Sequence, residues 1–201
     1  MENQDKKRQL IIDAALVRFA HYGLSKTTMT DIAKDISFSK ALLYYYFPDK
    51  LSLYVSVIEY LLLTVSKDVI KSIEKTKTAT DGILTLLQKR QGYIQKYYTL
   101  MEFSKLAGPD LPADLGEKFS KARAFELRII ASLLSRGVTT AEFVIDDVQT
   151  TTEIFIDALL GIHHNILNKD RNICPSKDQF KQIFIKEKKF AEIFLAGLKP
   201  R

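Results

Sequence analysis

An all-helical protein is predicted on three observations: helix formers dominate the 201-residue chain, prolines and glycines number only five and eight, and apolar residues recur at three- and four-residue spacing. A hydrophobic share of 46% lets such a chain bury a sizeable core in one or two domains and argues against disorder. About nine helices are expected. The net charge of +6 permits a polyanionic partner without demanding one.

From about Asp5 to Tyr22, Ile11, Ile12, Ala15, Leu16, Phe19 and Ala20 mark a helix that Gly23 is placed to end. Its basic start, Lys6-Lys7-Arg8, suits either phosphates or solvent. Thr28 with Asp31 three residues later has the form of a capping box, so a short helix begins there, with Ile32, Ala33 and Ile36 as its apolar face. Ser37-Phe38 interrupts the pattern, Ser39 is a second N-cap, and a helix from Lys40 to Phe47 stops at Pro48. Two short helices so briefly joined cross steeply, the geometry of a helix-turn-helix whose second member enters the major groove. Leu43 and Phe47 can face inward, which leaves Lys40, Ala41, Leu42, Tyr44, Tyr45 and Tyr46 to groove and backbone. Ser39 and Lys40 stand at the positive end of that helix, and Thr28, Thr30 and Lys50 complete the candidate DNA-binding set. Ser25, Lys26 and Thr27 are expected to clamp the DNA backbone.

Asp49 can cap a long amphipathic helix that runs through Leu53, Val57, Leu61 and Ile70 towards Lys75. Thr80 or Asp81 starts the next, where Ile83, Leu87, Ile94, Tyr97 and Met101 form a stripe that includes Arg90. Arg90 either reaches past the edge of the stripe to water or anchors an acidic group of a ligand. In the second reading Tyr93, Tyr97 and Met101 wall the pocket, Tyr98 and Phe103 add aromatic surface, and His163 lies near it. Gly108-Pro109-Asp110-Leu111-Pro112 reads as a loop, and Phe119, Ala122, Phe125, Ile129, Leu133 and Leu134 as a helix ending before Gly137. A helix from about Asp146 to Asn168 carries Phe155, Leu159, Ile162 and Ile166 on one side and Ile156, Leu160, His163 and Leu167 on an adjacent one. Ser176 caps a last helix with a stripe of Phe180, Ile183, Phe184, Phe190, Phe194 and Leu198. Together these two helices offer more apolar surface than one small domain covers, which points to a homodimer built on them.

Other chemistry finds little support. His163 and His164 are adjacent on a helix and point about 100° apart, so they do not chelate one ion as residues four apart would. There is no Gly-rich phosphate loop and no strand-to-helix nucleophile elbow. No catalytic residue, metal or cofactor is assigned, and an enzyme using His163 and His164 stands only as an alternative. The lone Cys174 excludes an internal disulfide. No stretch is long and apolar enough to span a bilayer, Met1 to Asp5 leads into no signal core, and a cytoplasmic protein with no membrane partner is expected.

The run Ser39, Lys40, Leu43, Tyr44, Tyr46, Phe47 and Lys50 resembles the motif S-K-x-x-L-Y-x-Y-F-x-x-K of the TetR family of transcriptional regulators. The family's preceding T-x-x-D-I-A is present as Thr28, Asp31, Ile32 and Ala33. The resemblance implies a three-helix DNA-binding domain over residues 1–50, whose connecting helix continues to about 75, and a helical ligand-binding and dimerisation domain over 51–201. It implies a homodimer on a near-palindromic double-stranded operator, acting as a repressor released by an unidentified small-molecule effector. Two positions depart from the family. Ser37 stands where a turn glycine is usual, and Leu42 where a small polar residue is usual. An apolar Leu42 can touch thymine methyls but cannot hydrogen-bond a base edge. On the alternative reading the fold is kept as a protein-docking module, with Tyr44 to Tyr46 as its patch.

Overall fold

Helix starts in this chain are set by local side-chain chemistry, and a computed structural model describing residues 2–106, 113–167 and 175–200 places them accordingly. Side chains are described over 4–101, 113–167 and 175–200. The described residues form eight helices, one for each segment delineated above: α1 (Glu2–Lys26), α2 (Met29–Asp35), α3 (Lys40–Tyr46), α4 (Lys50–Ile73), α5 (Ala79–Leu106), α6 (Ala113–Thr139), α7 (Val148–Leu167) and α8 (Lys177–Gly197). The loop expected at 108–112, Cys174 and the side chain of Phe103 lie outside the described residues.

Caps account for the starts. Thr28 and Asp31 form the complete capping box of α2, Ser39 Oγ accepts the Leu42 amide at 3.1 Å to open α3, and Ser176 with Gln179 boxes α8. Asp49 Oδ1 accepts the Ser52 amide at 2.7 Å at the head of α4, and Asp147 Oδ1 the Thr150 amide at 3.1 Å at the head of α7.

Two helix ends close on a left-handed residue that is not glycine. After α2, the Ser37 amide donates to the Lys34 carbonyl and the Phe38 amide to the Ala33 carbonyl, the paired bonds of a Schellman motif, with Ser37 left-handed at φ 55°. After α6 the same pair runs from Ala141 to Val138 and from Glu142 to Gly137, with Ala141 at φ 56°. Gly137 therefore lies within α6 and does not terminate it. Its missing side chain makes room for the Phe143 ring, whose Cε2 would stand 2.6 Å from a Cβ there. Gly23 interrupts α1 at φ 77° and ψ 170°, a region that glycine alone occupies at ease, before a last turn to Lys26.

Packing divides the chain into two units, residues 1–66 with 96–120, and 67–95 with 121–201. The first turns of α4 pack as core of the first unit. There Leu53, Tyr54, Val57 and Ile58 are fully buried with Ile11, Ala15 and Phe19 of α1, Ile32 of α2 and Leu43 of α3. The Tyr54 ring meets Phe19 edge-on at 5.5 Å, and its hydroxyl donates to the Leu100 carbonyl.

In the second unit, α5 and α6 approach closely enough that a Cβ on Gly82 would lie 2.5 Å from Leu133 Cδ2. Glu142 caps α5 from a distance, accepting the Ala79 and Thr80 amides at 2.7 and 2.9 Å. Burial pushes that carboxyl up, but these bonds and the Thr80 hydroxyl outweigh it and hold it below the usual range. The phenylalanine stripe of α8 is turned inward: Phe190 stacks on Phe155 of α7 at 5.6 Å, and Phe194 meets the same ring tilted at 5.2 Å. The large apolar side chains that α7 and α8 leave exposed are aliphatic, among them Ile154 at 55%, Ile185 at 54% and Ile193 at 61%.

The positive-φ backbone at Gly23 makes a direct prediction. Gly23→Ala is expected to lower unfolding free energy by about 1–3 kcal/mol, read as a shift of the urea midpoint at unchanged slope. The first unit should also be acid-sensitive. Asp31, bonded by the Thr28 hydroxyl, and Asp35, bonded by Arg18, both titrate below the ordinary carboxylate value of 3.8. A depressed folded pKa gives stability that is present above the unfolded value and is lost as pH falls through the folded one. A double variant carrying Asp31→Asn and Asp35→Asn is expected to show a flatter loss of stability below pH 3.8 than the native chain.

Candidate nucleic-acid interface

The reading head is α2, the turn at Ser37 and α3. Its inner side is anchored by Ile32, Leu43 and Phe47, each at most 3% exposed. Over Phe47 lies the Arg8 guanidinium, 5.0 Å from the ring centroid, with a hydrogen bond of 3.4 Å to Ser56 Oγ. Of the basic run at 6–8, Arg8 is thus spent on packing the head. A second clamp ties α1 to the end of α2, where Arg18 forms a fork-to-fork pair with Asp35.

The outer side carries Lys40 and Ala41, both exposed, Leu42, half-buried, and Tyr44 and Tyr45 at 43% and 69% exposure. Tyr46 is half-buried, its ring edge-on to Tyr45 at 5.2 Å. The Lys40 ammonium lies 5.7 Å from the Tyr44 ring centroid. Tyr45 accepts a hydrogen bond of 3.1 Å from Gln4 Nε2 near the start of α1, a contact sequence reasoning missed because nothing in a lone glutamine signals a partner 41 residues away.

Several candidate residues already have intramolecular partners. The Thr28 hydroxyl donates to Asp31 Oδ2 at 2.6 Å, and Thr30 is half-buried. Thr27, expected as a backbone clamp, is instead buried, its hydroxyl donating to the Gly23 carbonyl at 2.8 Å. Lys50 is turned inward as well: its Nζ donates to the Leu24 carbonyl at 2.7 Å and the Thr27 carbonyl at 3.0 Å. It fastens the start of α4 to the end of α1.

Tyr97 and Met101 belong to the first unit, and Arg90, Tyr93 and His163 to the second. The stripe that joined them runs across a break in α5 at Tyr97, φ −115° and ψ 19°. Tyr93 donates its hydroxyl to Asp68 at 2.8 Å, where Lys89 also binds at 2.9 Å. His163 is half-buried on α7 and His164 exposed beside it. Among the described residues no group of three or more His, Cys, Asp or Glu could hold a metal.

Arg90 is already engaged by two carboxylates of the second unit. Its Nε binds Glu126 at 3.0 Å and its Nη1 binds Glu187 at 2.9 Å, so one guanidinium already serves two carboxylates. Glu187 is fully buried, and burial pushes its carboxyl up against the opposing pull of Arg90.

Known proteins bear on this geometry. The family model described as "Bacterial regulatory proteins, tetR family" matches residues 11–57, which span α1, α2, α3 and the first turns of α4. The chain is similar throughout to a transcriptional regulator from Cytophaga hutchinsonii, 30% identical, covering 96% of this chain and 99% of that one with a TM-score of 0.87. A transcriptional regulator from Saccharomonospora viridis, solved in complex with choline, shares the fold at 15% identity and a TM-score of 0.76, covering 98% of this chain and all of that one. Among curated relatives, the negative transcriptional regulator IcaR of the biofilm operon in Staphylococcus aureus is 30% identical over 95 residues, 45% of this chain and 51% of that protein. Matches to the curated relatives span between 19% and 51% of those proteins' lengths. From the match at the reading head and the likeness that runs the full length of a solved regulator, the chain belongs to the TetR family of bacterial transcriptional regulators.

Proposed function

We propose that this protein is a DNA-binding transcriptional repressor that works as a homodimer and leaves its operator when a small molecule binds. The observation that carries the reading is α3 itself, which presents Lys40, Ala41, Leu42, Tyr44 and Tyr45 outward while Leu43 and Phe47 hold it from beneath. A helix so anchored and so displayed suits insertion in a major groove, with Ser39, Lys40, Tyr44 and Tyr46 at its phosphate borders. Repression is supported by likeness to a negative regulator, and a small effector by a protein of this fold solved with choline.

Dimer formation is supported by the aliphatic surface left on α7 and α8. Ile154, Leu160, Ile185 and Ile193 are each more than a third exposed, which is unfavourable in an isolated subunit and useful in a four-helix pairing of two. Two heads would then meet half-sites one or more helical turns apart.

The primary test is fluorescence anisotropy of the full chain with a duplex covering the DNA that flanks its own gene. Tight binding with a steep salt dependence is expected, and salt-insensitive or absent binding would favour the docking module instead. Lys50 has two ammonium protons on carbonyls, and we assign the third to phosphate. Lys50→Ala is expected to reduce the log–log salt slope by about 1 as well as destabilise the fold; destabilisation with an unchanged slope would leave Lys50 a purely internal fastener. Ile193→Asp is expected to convert the dimer to a monomer in sedimentation velocity at micromolar concentration without altering helical content. A dimer that persists would place the interface elsewhere.

A further inference from the structure

We infer that α3 reads DNA through thymine C5-methyl groups, touched by Leu42, rather than through hydrogen bonds to base edges. The inference rests on the DNA-binding reading above and deepens it. The seven residues of α3, Lys40-Ala41-Leu42-Leu43-Tyr44-Tyr45-Tyr46, include no Arg, Asn, Gln, Asp, Glu or His. Of the side chains that distinguish guanine, adenine and cytosine in the major groove by hydrogen bonds, α3 therefore offers only Lys40. The polar atoms that α3 does offer are an ammonium lying over the Tyr44 ring and three phenols, of which the Tyr45 hydroxyl already bonds Gln4 at 3.1 Å. Single donors of this kind bind a phosphate oxygen as readily as a base.

The first turn of a recognition helix is the part that reaches base edges. Here that turn holds Ala41 and Leu42, with the Leu42 amide fixed by Ser39 Oγ at 3.1 Å and the core-facing place taken by Leu43. Leu42 is only half-buried, so part of a branched aliphatic side chain remains for a partner. The one apolar group that a base pair shows in the major groove is the thymine methyl.

The experiment uses the full chain and a duplex that it enriches from a random-sequence pool, synthesised with thymine or with deoxyuridine at each half-site position in turn. Deoxyuridine removes the methyl and leaves every hydrogen-bonding group in place. One position per half-site is expected to lose about fourfold in affinity, and the doubly substituted duplex roughly fifteenfold. Leu42→Ala should bind the thymine and deoxyuridine duplexes alike, while Leu42→Met, which keeps an apolar group, should still discriminate; thermal melting checks that both fold. Indifference of the native chain to deoxyuridine overturns the inference while leaving DNA binding intact. Discrimination that survives in Leu42→Ala overturns the assignment to this residue. Failure to enrich any duplex overturns the DNA-binding reading and the inference with it.

Discussion

The ammonium of Lys50 on the carbonyls of Leu24 and Thr27 is the fastening on which the reading head depends. Helices α2 and α3 lie in the chain between the two ends that it joins, the last turn of α1 and the first of α4. The acceptors are available because Gly23 leaves helical geometry just before them and Thr27 folds back to the Gly23 carbonyl through its hydroxyl. Hydrogen bonds to a charged donor contribute about 1.5–3 kcal/mol each when partly sheltered, more than the capping of either short helix. A seven-residue helix such as α3 is not stable alone. It persists because both its flanks are held, by Lys50 on one side and by Arg8 over Phe47 on another.

What could be read from sequence follows from how local its cause is. The Thr28–Asp31 capping box and the N-caps Ser39, Asp49 and Ser176 were legible, since donor and acceptor stand three residues apart. The inward faces of α2 and α3 were legible through periodicity. The closure at Ala141 hid in plain composition, because an alanine holds the left-handed position that a glycine would advertise, whereas Ser37 stood out through the resemblance as the residue in place of a turn glycine. Gly137, the residue that did look like a terminator, is there for the Phe143 ring. Contacts such as Lys50 to Leu24, 26 residues apart, or Arg90 to Glu187, 97 apart, leave no mark on either neighbourhood.

Arg90 shows how an anomaly legible in sequence can have its partners far along the chain. An arginine within an apolar stripe must either reach water or find a counter-charge, and the counter-charges here come from α6 and α8. A guanidinium shared by Glu126 and Glu187 ties α5, α6 and α8 of the second unit at one point. Breaking such a cluster by removing one member typically costs 3–5 kcal/mol, because it strands a buried charge. The residue is therefore best understood as a structural pin.

The two halves of the protein's chemistry are consequently of different kinds. In the second unit the unusual polar residues are consumed internally: Arg90 by its glutamates, Glu142 by the amides of α5, and Tyr93 by Asp68. In the first unit the head retains a surface whose hydrophobic members, Ala41 and Leu42, are not needed by the core that Leu43 and Phe47 complete. Apolar groups left outside a finished core on a well-supported helix ask for an apolar partner. Within a major groove only one base offers one, so the same scarcity of polar side chains that makes α3 an unusual reader also narrows what it can read.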